Sequence, residues 1–188
     1  MAEYSLTAEP ALGGYARSFG EVTLTEAVEL AIVSVAFPAG AEARGKKAIE
    51  ASFGVAPPPV GKSTQSQDGA QFIRLARDLM FVLFDHSTPD AGAVVAERIG
   101  RAAYTTDQTD VWVGLEIAGP GTRVALERIC PLDLHAGTFA VGNVARTAME
   151  HLGAVILCTG PEAFLLLSAS SSAASFLHMV EVSLVNTA

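Results

Sequence analysis

The stretch 115–139, LEIAGPGTRVALERICPLDLHAGTF, constrains the fold more than any other part of this chain. Val111, Val113, Leu115 and Ile117 alternate along one face of a strand. The alternation breaks at Gly119-Pro120-Gly121, a turn signal. Thr122 then opens a helix on which Ala125, Leu126, Ile129 and Cys130 form an apolar stripe, and Pro131 stops it. A compact polar cluster follows, with Cys130, Asp133 and His135 inside the hexapeptide CPLDLH.

Other segments alternate in the same way. Residues 1–24 hold isolated hydrophobics without a period and read as an extended arm, so the expected domain is 25–188. Ala27–Phe37 is β-branched and strand-like, and 41–53 reads as a helix despite Gly45. Residues 56–69 read as a loop, because Pro57-Pro58-Pro59 suits neither a helix nor a central strand. Gln71–Ala76 and Leu79–Phe84 suggest a hairpin around Arg77-Asp78. Ser87 or Thr88 can cap a helix that runs to Gly100, and Tyr104–Thr109 is a short strand. Val144–Glu150, Gly153–Cys158 and Phe164–Leu167 are strands, and Ser171 or Ser172 caps a last helix. That helix is apolar almost all round, with Phe176, Leu177, Met179, Val180, Val182, Leu184 and Val185. Such a helix is buried on every side, by another subunit or by its own core. Hairpins mixed with strand–turn–helix steps define an α+β architecture rather than a doubly wound sheet.

Composition narrows the function. Half of the 188 residues are apolar and only 17% are charged, where a typical domain carries about a quarter. Either partners cover part of the surface, or the chain is an alanine-rich globule. A net charge of −8 with scattered basic residues disfavours nucleic acid and anionic membranes. Residues 164–185 approach the length of a membrane span, but serines, His178 and Glu181 interrupt them. Two cysteines without a CxxC, and no signal-peptide pattern, point to the cytoplasm.

The candidate chemistry is thin. Gly61-Lys62-Ser63 looks like the end of a phosphate loop, yet position 56 is alanine and prolines fill the cradle. Cys130 with His135 suggests a thiol nucleophile. However, the end of a helix raises a thiol pKa, and Asp133 and His135 can equally hydrogen-bond a turn or a partner. His86, His135, His151 and His178 fall on separate elements without metal-ligand spacing. Glu127 can pair with Arg123 at i, i+4. Trp112 can stack on a ligand or sit in a core or an interface.

Leu115–Leu126, with Gly119-Pro120 after a strand and Arg123 on the helix, resembles a piece of the folate-binding aminomethyltransferase superfamily. Residues 159–167, TGPEAFLLL, resemble its later strand–turn–strand. CPLDLH, followed by Phe139, Val141-Gly142 and Ala145-Arg146-Thr147, is similar to the gamma subunit family of heterotetrameric sarcosine oxidase. The resemblance covers roughly 27–185 and is strongest over 111–180. It implies an aminomethyltransferase-like fold of small mixed sheets with packed helices, open to an arrangement in two interleaved lobes. It also implies a non-catalytic subunit of a cytoplasmic flavoenzyme that oxidatively demethylates sarcosine or a related N-methyl amino acid.

FAD, FMN, NAD, zinc and tetrahydrofolate are then expected on the alpha, beta and delta partners, and no cofactor or metal on this chain. Cys130, Pro131, Leu132, Asp133 and His135, with Phe176, Met179 and Val180 of the last helix, are the expected subunit contacts. The turn Thr159–Phe164 departs from that of the active transferases, and no acidic residue stands in a clear folate-contacting motif, which argues against folate binding by this chain. Two other readings stand beside this one: a separate folate-binding module, and a small cysteine hydrolase using Cys130 and His135.

Overall fold

The computed structural model describes residues 9–187. In chain order the elements are β1 (Ala16–Phe19), β2 (Val22–Glu26), β3 (Leu30–Ala36), α1 (Glu42–Phe53), β4 (Ser63–Gln65), β5 (Gln71–Arg74) and β6 (Leu79–Asp85). There follow α2 (Ala91–Ile99), β7 (Tyr104–Asp107), β8 (Trp112–Ala118), α3 (Thr122–Glu127), β9 (Val144–Met149), β10 (Leu152–Gly160), β11 (Ala163–Ala169) and α4 (Ala173–Val185).

A 6-stranded sheet has the order β1-β2-β8-β11-β10-β9, and a 5-stranded sheet the order β4-β5-β6-β3-β7. The chain begins the first sheet, leaves after β2, builds the whole second sheet, and returns at β8. This is an α+β fold of two interleaved lobes. The sheets are antiparallel throughout rather than mixed.

Period-two alternation divides the apolar side chains among three cores. On β10 and β11, Ala154, Ile156, Cys158, Phe164 and Leu166 face α3 and α4. Their neighbours Val155, Leu157, Leu165 and Leu167 face the second sheet. There they meet Ile32, Ile73, Phe81 and Leu83. The opposite face of that sheet, with Val33, Val35, Phe72 and Val82, packs on Ile49 and Phe53 of α1 and Val95 of α2. The layers therefore run helices, sheet, sheet, helices.

Several sequence expectations need correction. Residues 1–8 of the expected arm lie outside the described residues. The described remainder forms the β1–β2 hairpin, and β2 pairs with β8. Phe19, Val22 and Leu24 are buried, so these seemingly isolated hydrophobics are a strand pair too short to show its period. Within the expected loop 56–69, Ser63–Gln65 forms the edge strand β4 against β5. Ser87 and Thr88 do not cap α2. The helix follows Asp90, whose carboxylate accepts bonds from Thr88 Oγ1 at 2.5 Å and faces His86 Nε2 at 2.6 Å.

Helix α4 is not enclosed on all sides by its own chain. Phe176, Met179, Val180, Ser183 and Leu184 are buried at helical spacing, while Val182 and Val185 are 43% and 59% exposed. Burying a side chain such as Phe176 contributes about 1.5–3 kcal/mol. Ser183 Oγ also donates to the Ala125 carbonyl at 2.6 Å, which fixes α4 on α3.

Tyr15 and Arg17 tie the N-terminal hairpin to α4 through Glu181, at 2.7 and 3.3 Å. Burial, then the bond donated to Glu181, pushes the Tyr15 phenol up from 10.0 to about 12. The fold favours the neutral phenol, so this contribution to stability is complete below pH 10.0 and disappears as pH rises toward about 12. Urea unfolding across that window should show a steeper alkaline loss in the wild type than in Tyr15→Phe.

Gly119 has φ +133, and a Cβ there would lie 2.2 Å from the Glu21 carbonyl oxygen. Gly121, at φ +89, has open space around the same position. Gly119→Ala should therefore cost on the order of 3 kcal/mol in urea unfolding, a clash plus backbone strain. Gly121→Ala should cost only about 1 kcal/mol, the conformational penalty alone.

Candidate partner-facing site

The segment CPLDLH lies on the surface of the first lobe, anchored from beneath. Leu134 is completely buried and Phe139 nearly so, while Pro131, Asp133 and His135 are exposed and Leu132 is half-buried. Arg123, only 8% exposed, supplies the anchor. Its Nη1 donates to the carbonyls of Leu134 and Phe139, the latter at 3.1 Å. Its Nε donates to the Pro161 carbonyl at 2.7 Å and lies 3.4 Å from Glu162 Oε1. Its Nη2 reaches Cys158 Sγ at 3.5 Å, and the guanidinium sits 5.0 Å from the centroid of the Phe164 ring. One planar cation thus joins the loop 134–139 to the β10–β11 hairpin, a use of the arginine fork that a lysine cannot copy.

The loop also braces itself. Asp133 Oδ1 accepts the His135 N–H at 3.0 Å, and His135 Nδ1 accepts the Gly137 N–H at 3.2 Å. The His135 carbonyl accepts from the Thr138 and Phe139 amides at 2.8 Å each. The His135 N–H, and then the Thr138 hydroxyl, holds the Asp133 carboxyl below its usual value. Because Nδ1 is an acceptor, the neutral imidazole carries its proton on Nε2, which leaves a single donor for a partner.

The structure separates the residues that the sequence grouped. Cys130 is buried, and its thiol contacts Thr147 Oγ1 at 4.0 Å. His135 is turned outward and occupied with Gly137. No thiol–imidazole pair forms, so the cysteine hydrolase reading has no geometric support. Phe176, Met179 and Val180 fill the core beneath the first sheet and are not accessible as contact surface. Their helical spacing serves α4's own lobe. His151 is exposed, as is His178, and no group of three His, Cys, Asp or Glu among the described residues could hold a metal. Lys62 is directed to Asn143 Oδ1 at 2.6 Å. Trp112 packs edge-on against Phe81, with ring centroids 5.6 Å apart, between the sheets.

The i, i+4 spacing pairs Arg123 with Glu127, whereas in the structure Arg123 turns inward to the carbonyls of Leu134, Phe139 and Pro161. A signal existed. Arg123 and Leu126 are spaced i, i+3 and so share the buried face of α3.

The fold is shared with a chain of a heterotetrameric sarcosine oxidase and with part of a glycine cleavage system aminomethyltransferase. A chain of the heterotetrameric sarcosine oxidase from Corynebacterium sp. U-96 superposes with a TM-score of 0.79 at 21% identity, over 91% of this chain and 87% of that one. The glycine cleavage system aminomethyltransferase T from Bartonella henselae superposes at 0.67 with 14% identity, over 85% of this chain and 45% of that one. In sequence, the chain is similar to the sarcosine oxidase subunit gamma of an Arthrobacter species, 26% identical over 124 residues. That alignment covers 65% of this chain and 61% of the relative's length. No family model matches the chain.

Removing the guanidinium leaves buried carbonyls without donors. Arg123→Met is expected to cost about 3–5 kcal/mol in urea unfolding, the range for breaking a buried charged network. Arg123→Lys should recover less than half of that loss, because one ammonium cannot span the carbonyls of Leu134, Phe139 and Pro161.

Proposed function

We propose that this chain is a gamma-type, non-catalytic subunit of a heterotetrameric sarcosine oxidase-like flavoenzyme. The observation that carries this reading is a double likeness: sequence similarity to a sarcosine oxidase subunit gamma, and the same fold in a chain of a heterotetrameric sarcosine oxidase. In this reading the assembly oxidises sarcosine, or a related N-methyl amino acid, to glycine or the demethylated amine. The one-carbon unit leaves as formaldehyde or passes to tetrahydrofolate, and oxygen is reduced to hydrogen peroxide. FAD, FMN, NAD, zinc and tetrahydrofolate belong to the alpha, beta and delta partners, and the complex works in the cytoplasm. No helix among the described residues is long and apolar enough to cross a membrane.

The contact surface is the braced loop with Pro131, Leu132, Asp133 and His135, flanked by Val124 and Val141, which are 59% and 55% exposed. A loop held in one conformation before binding loses little entropy on docking. Cys130 supports this surface from inside.

Expression of the co-encoded neighbours with and without this chain tests the proposal. With it, a yellow complex containing the chain in stoichiometric amount should be recovered and should oxidise sarcosine or its N-methyl relatives. Without it, the yield of flavin-bearing complex should fall severalfold. An equal yield and an equal turnover rate in its absence would refute the role.

A further inference from the structure

Strands β9 and β10 are joined by two residues, Glu150 and His151, with Met149 paired to Leu152 across the tip. A two-residue hairpin needs positive φ within its tip, where Gly, Asn and Asp are the usual occupants. Glu150 stands there instead, at φ 49°, and is the one non-glycine with positive φ among the described residues. In that conformation Cβ crowds the following carbonyl, so a glutamate is strained where a glycine is not.

No contact of the Glu150 side chain within the chain offsets that strain. The fold uses the Glu150 amide, which donates to the Ile129 carbonyl at 2.7 Å. Any residue except proline supplies that bond. The carboxylate is 52% exposed, and its nearest possible cation among the described residues is the exposed His151 ring, with Nδ1 at 3.9 Å from Oε2. Ile129 immediately precedes Cys130 and Pro131, so the same amide bond seats the hairpin tip at the edge of the braced loop 131–135. Strained backbone of this kind is characteristic of binding sites, where it presents a side chain in a fixed direction.

We propose that Glu150 is a recognition residue. Its carboxylate, presented by the strained tip beside Pro131, pairs with an arginine or lysine of the subunit that docks on the loop 131–135. This rests on the assembly role proposed above and names one charged contact within it. A partner lacking that cation would leave the carboxylate without compensation, so the pair selects the correct partner as well as holding it.

Two variants separate charge from strain. Glu150→Gln keeps the strain and removes the charge, and Glu150→Asn relieves the strain and removes the charge. In urea unfolding of the free chain, Glu150→Gln should match the wild type and Glu150→Asn should have a higher midpoint. Assembly should run the other way. Wild type and variant, carrying different tags, are co-expressed with the co-encoded neighbours, and the complex is captured through a flavin-bearing subunit. The wild-type tag should exceed that of either variant by about fivefold, the effect of one partly exposed ion pair. Equal incorporation of wild type and variants, or a lowered midpoint for Glu150→Asn, would overturn the contact and leave the assembly role standing. Absence of the wild-type chain from any complex would refute the assembly role and the contact with it.

Discussion

The architecture of the first lobe depends on a single buried cation. Arg123 leaves a helix of 6 residues and satisfies carbonyls from two loops distant in sequence. Burying a guanidinium is costly, and the cost is offset only when nearly all of its donors are used. Arg123 meets that condition with the Leu134, Phe139 and Pro161 carbonyls, the Cys158 sulfur and the Glu162 carboxylate. The irregular stretch after α3 thereby acquires a fixed shape without regular hydrogen-bonding of its own.

The apolar composition has an internal explanation. Both sheets are covered on both faces, so runs such as Ala154–Cys158 and Phe164–Leu167 bury every side chain. Antiparallel sheets commonly leave one face to water, and here neither does. A low charged fraction follows from that layering, so composition by itself is no argument for a partner. What favours assembly is the similarity to a sarcosine oxidase subunit gamma, together with a braced, exposed loop.

Much of the fold was legible where local chemistry and tertiary environment agree. The turn after β8, the start of α3 and the β5–β6 hairpin follow from periodicity and turn residues, although α3 ends at Glu127 and leaves Ile129 and Cys130 of the expected stripe beyond it. Gly45 weakened the reading of α1, yet the helix needs it: a Cβ there would lie 2.2 Å from the Phe37 ring. The β1–β2 hairpin was not legible, because strands of 4 and 5 residues barely complete one alternation. Helix α4 was over-read. Val182 and Val185 make its sequence apolar all round, but only one of its faces meets the core. Of the CPLDLH cluster, Asp133 and His135 are exposed while Cys130 and Leu134 are buried. The cation that positions them lay eleven residues before Leu134 and resembled a surface arginine.

The central claim is that this chain contributes structure to an assembly and leaves electron transfer to its companions. Native mass spectrometry of the material purified from cells expressing the chain with its co-encoded neighbours tests it most directly. The account predicts one copy of the chain for each copy of the flavin-bearing subunits, with flavin mass on those subunits alone. Recovery of the chain only as a free monomer, or with flavin bound to the chain itself, would contradict it.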